Sequence, residues 1–159
     1  MTHIVTDCTL NDKNESFVVK RTIKIIHGLC LDVKIVSGEW IRQCLLQQKV
    51  IPDTNYLSVG IVANDKFIYY HKTNKHCNLF KGIKFFLRPG TNPMISASKL
   101  ESFIVLCGGE VVGEAYRGVM LITMKPETED PPKGEIYYSY MFIIDAISMN
   151  QLPSTQDYI

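Results

Sequence analysis

Between Arg21 and Leu46 the apolar periodicity changes twice, and a chain with that pattern has few ways to fold. Val19, Ile23, Ile26 and Cys30 recur at helical spacing, with Ile25 and Leu29 widening the stripe, which predicts a helix with a broad buried face running on from Val18. Val33 to Val36 reads as a short buried strand. Ser37 then stands as an N-cap, with Glu39 in the first turn, where the helix dipole favours an acid. Trp40, Ile41, Cys44 and Leu45 form the predicted inward face of that second helix. The stretch thus packs two helix-like segments and a short buried strand into 26 positions.

The flanking sequence extends this pattern. Thr2 to Thr6 reads as a β-branched strand, and the polar, turn-forming stretch 7–17 reads as a loop. Residues 52–79 read as a mixed connecting segment, in which Phe67 to Tyr70 is strand-like. In the second half Ile83, Phe85 and Leu87 alternate with Lys84, Phe86 and Arg88, predicting a strand that Pro89 and Gly90 end. Ser96 caps an amphipathic helix carrying Ala97, Leu100, Phe103, Ile104 and Cys107, which Gly108 and Gly109 terminate. Short strands follow at 110–112 and 118–124, the second with no polar alternation, as in a strand covered on both faces. The proline-rich stretch 125–133 cannot be regular helix. Glu135 to Ser139 then reads as a strand and Met141 to Met149 as a nearly all-apolar helix. Both halves thus end on a strand and a helix with an aromatic near its start, Trp40 in one and Phe142 in the other. The chain is a degenerate internal repeat.

Charge bounds the partners. The 17 Lys and Arg nearly balance 16 Asp and Glu, so no global basic field collects nucleic acid. Residues 1–79 carry 10 basic against 7 acidic side chains, and residues 80–159 carry 7 against 9, which puts any local anion site in the first half. Arg21, Thr22 and Lys24 crowd the start of the first helix and are the candidates; by spacing alone Arg21 and Lys24 read first as a solvated helix face, as most paired basic residues do, and Thr22 reads equally well as the helix cap. Five scattered cysteines and no membrane-length apolar run fit a reduced cytosolic or nuclear setting, with Cys30, Cys44 and Cys107 as small core residues. There is no Cys followed six residues later by Arg, no glycine-rich phosphate loop and no Cys-x-x-Cys; His71, His76 and Cys77 make a weak metal set.

Arg21-Thr22-Ile23-Lys24, Gly28 and Val36 to Ile41, followed by Phe80-Lys81-Gly82, Cys107-Gly108-Gly109 and Phe142 to Asp145, resemble the tandem BRCT module of DNA-damage mediator and adaptor proteins. The resemblance implies an α/β fold of two BRCT repeats, each a four-stranded parallel sheet flanked by helices. The first would lack its opening strand, helix and strand, including the Ser/Thr-Gly that completes the family's phosphate pocket. It implies a partial first repeat at 1–51, an inter-repeat linker at 52–79 and a second repeat at 80–159, with the 125–133 segment in place of most of that repeat's second helix. By the same resemblance the module is non-catalytic, needs no cofactor, works in the nucleus and binds a phosphorylated protein or peptide, the phosphorylated C-terminal tail of a histone variant being one such ligand. Lys24 would contact the phosphate and Thr22 support its pocket. Arg21 would bind the peptide backbone or a free C-terminal carboxylate at the third residue after the phosphoserine. Ile26, Pro93, Met94 and Ile144 would wall the pocket for that residue's side chain. The other reading is a phosphate-independent scaffold or DNA-end-binding module.

Overall fold

The computed structural model describes residues 1–71, 75–124 and 134–159. Strand β1 (His3–Thr6) pairs in parallel with β4 (Lys34–Ser37), placing Ile4 beside Ile35 and Val5 beside Val36. Between them lie β2 (Cys8–Leu10), β3 (Ser16–Val18) and helix α1 (Ile23–Cys30); α2 (Gly38–Leu46) follows β4. Strands β5 (Ser58–Ala63) and β6 (Lys66–Tyr69) join β2 and β3 in a mixed sheet of order β2-β3-β5-β6. The second half is a four-stranded parallel sheet of order β10-β9-β7-β8, built from β7 (Lys84–Leu87), β8 (Glu110–Val111), β9 (Met120–Thr123) and β10 (Tyr137–Ser139), with helices α3 (Ala97–Leu106) and α4 (Met141–Met149). The expected α/β architecture of parallel sheets flanked by helices is present, and the second half carries the full four-stranded sheet. In the first half the parallel pairings are β1 with β4 and β3 with β5.

The predicted helix caps form. Ser37 Oγ accepts from the Glu39 amide at 3.3 Å and Ser96 Oγ from the Lys99 amide at 3.2 Å. Both supply an oxygen to a first-turn N–H that has no partner within the helix.

Three local expectations are corrected. The 7–17 stretch is not all loop, because β2 and β3 form there, and β3 pairs in parallel with β5. That pairing also delays α1: Ser16, Phe17 and Val18 are all buried in the sheet, so the helix starts at Ile23 instead of near Val18. Residues 58–69 supply two strands where the sequence suggested one. At Gly60 the missing side chain lets the Phe17 and Tyr69 rings meet edge-on at 5.0 Å, and an added Cβ would lie 2.7 Å from Phe17 and 2.1 Å from the Ile68 carbonyl oxygen. The third correction concerns α2, which buries none of its residues. Trp40 is only half-buried, stacked on His3 at 5.0 Å with its indole N–H donating to the Ile51 carbonyl at 2.9 Å, while Ile41 and Leu45 face solvent. The 125–133 segment lies outside the described residues.

One apolar core runs through both halves. Ile25, Ile26, Leu29 and Cys30 of α1 share it with Leu100, Phe103 and Ile104 of α3 and Phe142, Ile143 and Ile147 of α4. Helix α1 packs against both α3 and α4, so the first half's helix is wedged onto the second half's pair. A buried histidine fastens the same junction: the ring nitrogens of His76 lie 2.8 Å from the Asp32 carboxylate and 3.0 Å from the Ile147 carbonyl. Cys30 and Cys107 are buried as expected, whereas Cys44 is only partly covered. The Cys30 and Cys107 thiols meet across the α1–α3 contact, and the hydrogen bond that the Cys107 thiol donates to Cys30, together with burial, raises the Cys107 pKa above its ordinary range.

Candidate functional site

The site is the N-terminal end of α1. Thr22 adopts an extended backbone at the cap, and its Oγ1 accepts a long bond, 3.4 Å, from the Ile25 amide. The amide of Ile26 is tied to the Thr22 carbonyl at 3.0 Å. The Ile23 and Lys24 amides have no partner among the described residues, so they point free donors out of the helix end. Lys24 stands exposed one residue into the helix, and its ammonium is without a hydrogen bond or ion pair among the described residues. A free cation, a hydroxyl and two free amides at the positive end of a helix dipole form an arrangement that attracts an anion.

Arg21 is held quite differently. Its Nη1 donates to Asp145 Oδ1 at 2.5 Å and to Ser148 Oγ at 3.2 Å, both on α4. Asp145 Oδ2 accepts in turn from the Tyr158 hydroxyl at 2.8 Å, and Ser148 Oγ donates to the Ile144 carbonyl at 2.7 Å. The guanidinium therefore bridges the two halves, and its remaining N–H groups have no partner among the described residues. Burial and the Asp145 carboxylate hold the Tyr158 hydroxyl well above the ordinary phenol range. It remains a neutral donor to that carboxylate.

The four pocket candidates do not form one open wall. Pro93 and Met94 are exposed, Met94 at 74%, in the turn before α3, where Asn92 shapes the backbone by accepting from the Met94 amide at 2.8 Å and donating to the Met124 carbonyl at 2.7 Å. Ile26 at 1% and Ile144 at 7% exposure are core residues instead, because the side of α1 that carries Ile26 is the side pressed onto α3 and α4. They line the floor beneath the junction and offer a ligand almost no surface.

Three residues that matter here escaped the sequence reading. Asp145 and Ser148 orient Arg21, and Asp145 had a legible signal, as the single acid in the apolar run of α4. Lys99 is the third: its ammonium lies 5.4 Å from the Phe103 ring centroid, and the His27 ring lies 6.0 Å from the same centroid. Lys99 thus adds a second cation on the α3 side of the face that carries Lys24 and His27 one turn apart. Nothing in the sequence links position 99 to position 24.

The sequence profile of the BRCT domain family matches residues 78–159, just over half the chain. This chain belongs to the BRCT family. A relative, PAX-interacting protein 1 of Bos taurus, is 30% identical over 108 residues, covering 64% of this chain and 11% of the relative. The chain thus spans about a tenth of the length of the curated relatives it matches. Among solved structures, the C-terminal BRCT domain of human XRCC1 is 22% identical with a TM-score of 0.42, covering 51% of this chain and 91% of that one. BRCT1,2 of Rad4, in complex with an Mdb1 phosphopeptide, is 18% identical with a TM-score of 0.42, covering 80% of this chain and 65% of that one.

Proposed function

We propose that this BRCT chain is a non-catalytic adaptor that reads a phosphoserine peptide at the α1 N-terminus, in the nuclear response to DNA damage. The observation that carries the reading is Lys24, an exposed cation beside the Thr22 hydroxyl and two first-turn amides, with neither the cation nor the amides having a partner among the described residues. A phosphoserine carries about −1.5 to −2 charges and three strong acceptor oxygens, and it matches that donor set in number and sign.

In this reading the peptide runs from the phosphate toward the second half. Arg21 offers its remaining N–H groups to the backbone carbonyl of the third residue onward, and Pro93 and Met94 contact that residue's side chain. Arg21 already faces the Asp145 carboxylate, so a neutral carbonyl suits it better than a second carboxylate. A phosphorylated C-terminal tail, such as that of a histone variant, binds through the same groups but with its terminal carboxylate set near Asp145.

Fluorescence polarisation with one peptide in phosphorylated and unphosphorylated forms tests the reading. Binding is expected only for the phosphorylated form, and Lys24→Ala should weaken it by about 1.5–3 kcal/mol, roughly ten- to a hundredfold. Equal binding of the two forms, or no effect of Lys24→Ala, would overturn it in favour of a phosphate-independent scaffold. Amidating a C-terminal peptide should change its affinity little, as expected for a backbone carbonyl contact.

A further inference from the structure

Lys99 holds a position that the phosphoserine contact does not use. It stands one turn into α3 beyond the Ser96 cap, in the half whose four-stranded sheet is complete, and Pro93 and Met94 lie just before that cap. Its ammonium is 5.4 Å from the Phe103 ring centroid, and the His27 ring of α1 is 6.0 Å from the same centroid. Phe103 is fully buried, so its ring fixes the place of two polar groups that come from opposite sides of the α1–α3 seam. An aromatic face attracts an ammonium without neutralising it, so Lys99 is held there with its charge intact.

The seam supplies no acid to answer these groups. Among the described residues Lys24, His27 and Lys99 make no ion pair. The acids at the junction are engaged elsewhere, Asp145 with Arg21 and the Tyr158 hydroxyl, and Asp32 with His76. Glu101 follows Lys99 by two residues, which turns a helix by about 200° and puts it on the far side of α3. Two cations therefore flank the seam, and a ring N–H of His27 lies on the way from one to the other.

We propose that Lys99, with His27, selects a peptide that carries a carboxylate side chain at the first or second residue after the phosphoserine, an inference that rests on the phosphopeptide reading. In that reading the phosphate sits at Lys24 and the third residue reaches Pro93 and Met94, so the two residues between them cross from α1 to α3. An extended chain covers about 3.4 Å per residue, which keeps both within about 7 Å of the phosphoserine. One helical turn, about 5.4 Å, separates Lys24 from His27, and Lys99 reaches in from α3 on its flexible four-carbon stem. An Asp or Glu at that point meets an ammonium and a ring N–H. A Lys there adds a third cation to a face that already holds two, and like charges brought together select against that partner.

Fluorescence polarisation on the full chain tests the proposal, with labelled phosphoserine peptides that differ only in Glu, Gln or Lys at one of the two positions. Glu should bind about two- to fivefold tighter than Gln at one position or both, the range for a partly exposed ion pair, and Lys should bind more weakly than Gln. The exchange is made in the peptide, so the fold of the protein does not enter the comparison. Lys99→Gln should bring the Glu and Gln peptides to equal affinity, and Lys99→Arg should keep them apart. The Gln peptide in phosphorylated and unphosphorylated forms, measured on the unaltered chain, reports the phosphoserine dependence separately. Equal affinities for Glu and Gln at both positions overturn this inference while that dependence stands. So does a preference for Glu that survives Lys99→Gln. Loss of the phosphoserine dependence overturns the reading beneath, and this inference with it.

Discussion

Replacing Asp145 with Asn should separate the bracing of the junction by Arg21, which the structure shows, from the ligand contact proposed for it. The Arg21 and Asp145 side chains are 23% and 26% exposed, so water screens their attraction in part. A fully exposed pair contributes at most about 1 kcal/mol and a hydrogen bond to a charged group about 1.5–3 kcal/mol, which places this pair at about 1–2 kcal/mol. Asp145→Asn keeps the shape and one acceptor oxygen but removes the charge that both Arg21 and the Tyr158 hydroxyl address. Thermal unfolding should show that loss as a fall of about 2–8 °C in Tm for a chain of this size. A cycle with Arg21→Gln should return a coupling energy near 1 kcal/mol; a value below about 0.3 kcal/mol would refute the bridging role. The same substitution should act oppositely on binding. With its counter-charge gone, Arg21 should favour a peptide ending in a free carboxylate over the amidated form, and an unchanged ratio would mean that Arg21 does not meet the ligand.

Two further outcomes follow from local geometry. Gly82 and Gly108 both have positive φ, +80° and +85°, but a Cβ at Gly82 meets nothing within 4 Å, whereas one at Gly108 would lie 2.3 Å from the Cys77 carbonyl oxygen. Gly82→Ala should therefore cost about 1 kcal/mol in chemical denaturation and Gly108→Ala clearly more, about 2 kcal/mol or above; equal costs would contradict the packing at the α3 C-terminus. Asp53 accepts from Lys34 Nζ and His3 Nε2, each at 2.8 Å, and the Lys34 bond first, then that of His3, holds its carboxyl below the ordinary carboxylate range. A depressed folded value means the contribution is complete above the ordinary range and is lost as pH falls through the lower folded one. Asp53→Asn should flatten the acid side of the stability profile, read by denaturation at stepped pH from about 5 to about 2.

The elements whose signals are local were legible from residue order alone. Ser37 and Ser96 announce their helices because a cap needs only a hydroxyl and an amide two or three residues on. The apolar run 118–124 announces a covered strand, and β9 lies between β7 and β10. Even the crowding of Arg21, Thr22 and Lys24 at one helix end needs no tertiary knowledge. What residue order could not supply were consequences of distant pairing. Strand β3 exists because β5 lies beside it, some forty residues later, and that pairing overrides a helical pattern that on paper begins at Val18. The ion pair that holds Arg21, while Lys24 has none among the described residues, is likewise set by Asp145, 124 residues further along the chain. Trp40, Ile41 and Leu45 carry the stripe of an inward helix face, yet none of them is buried and Ile41 and Leu45 are exposed, because amphipathicity states which side of a helix needs a neighbour and only the tertiary structure decides whether one is there. The sequence thus determined the kinds of element and the chemistry at the head of α1, and the tertiary structure decided which of its cations is tied into an ion pair, because that pairing depends on a carboxylate distant in sequence.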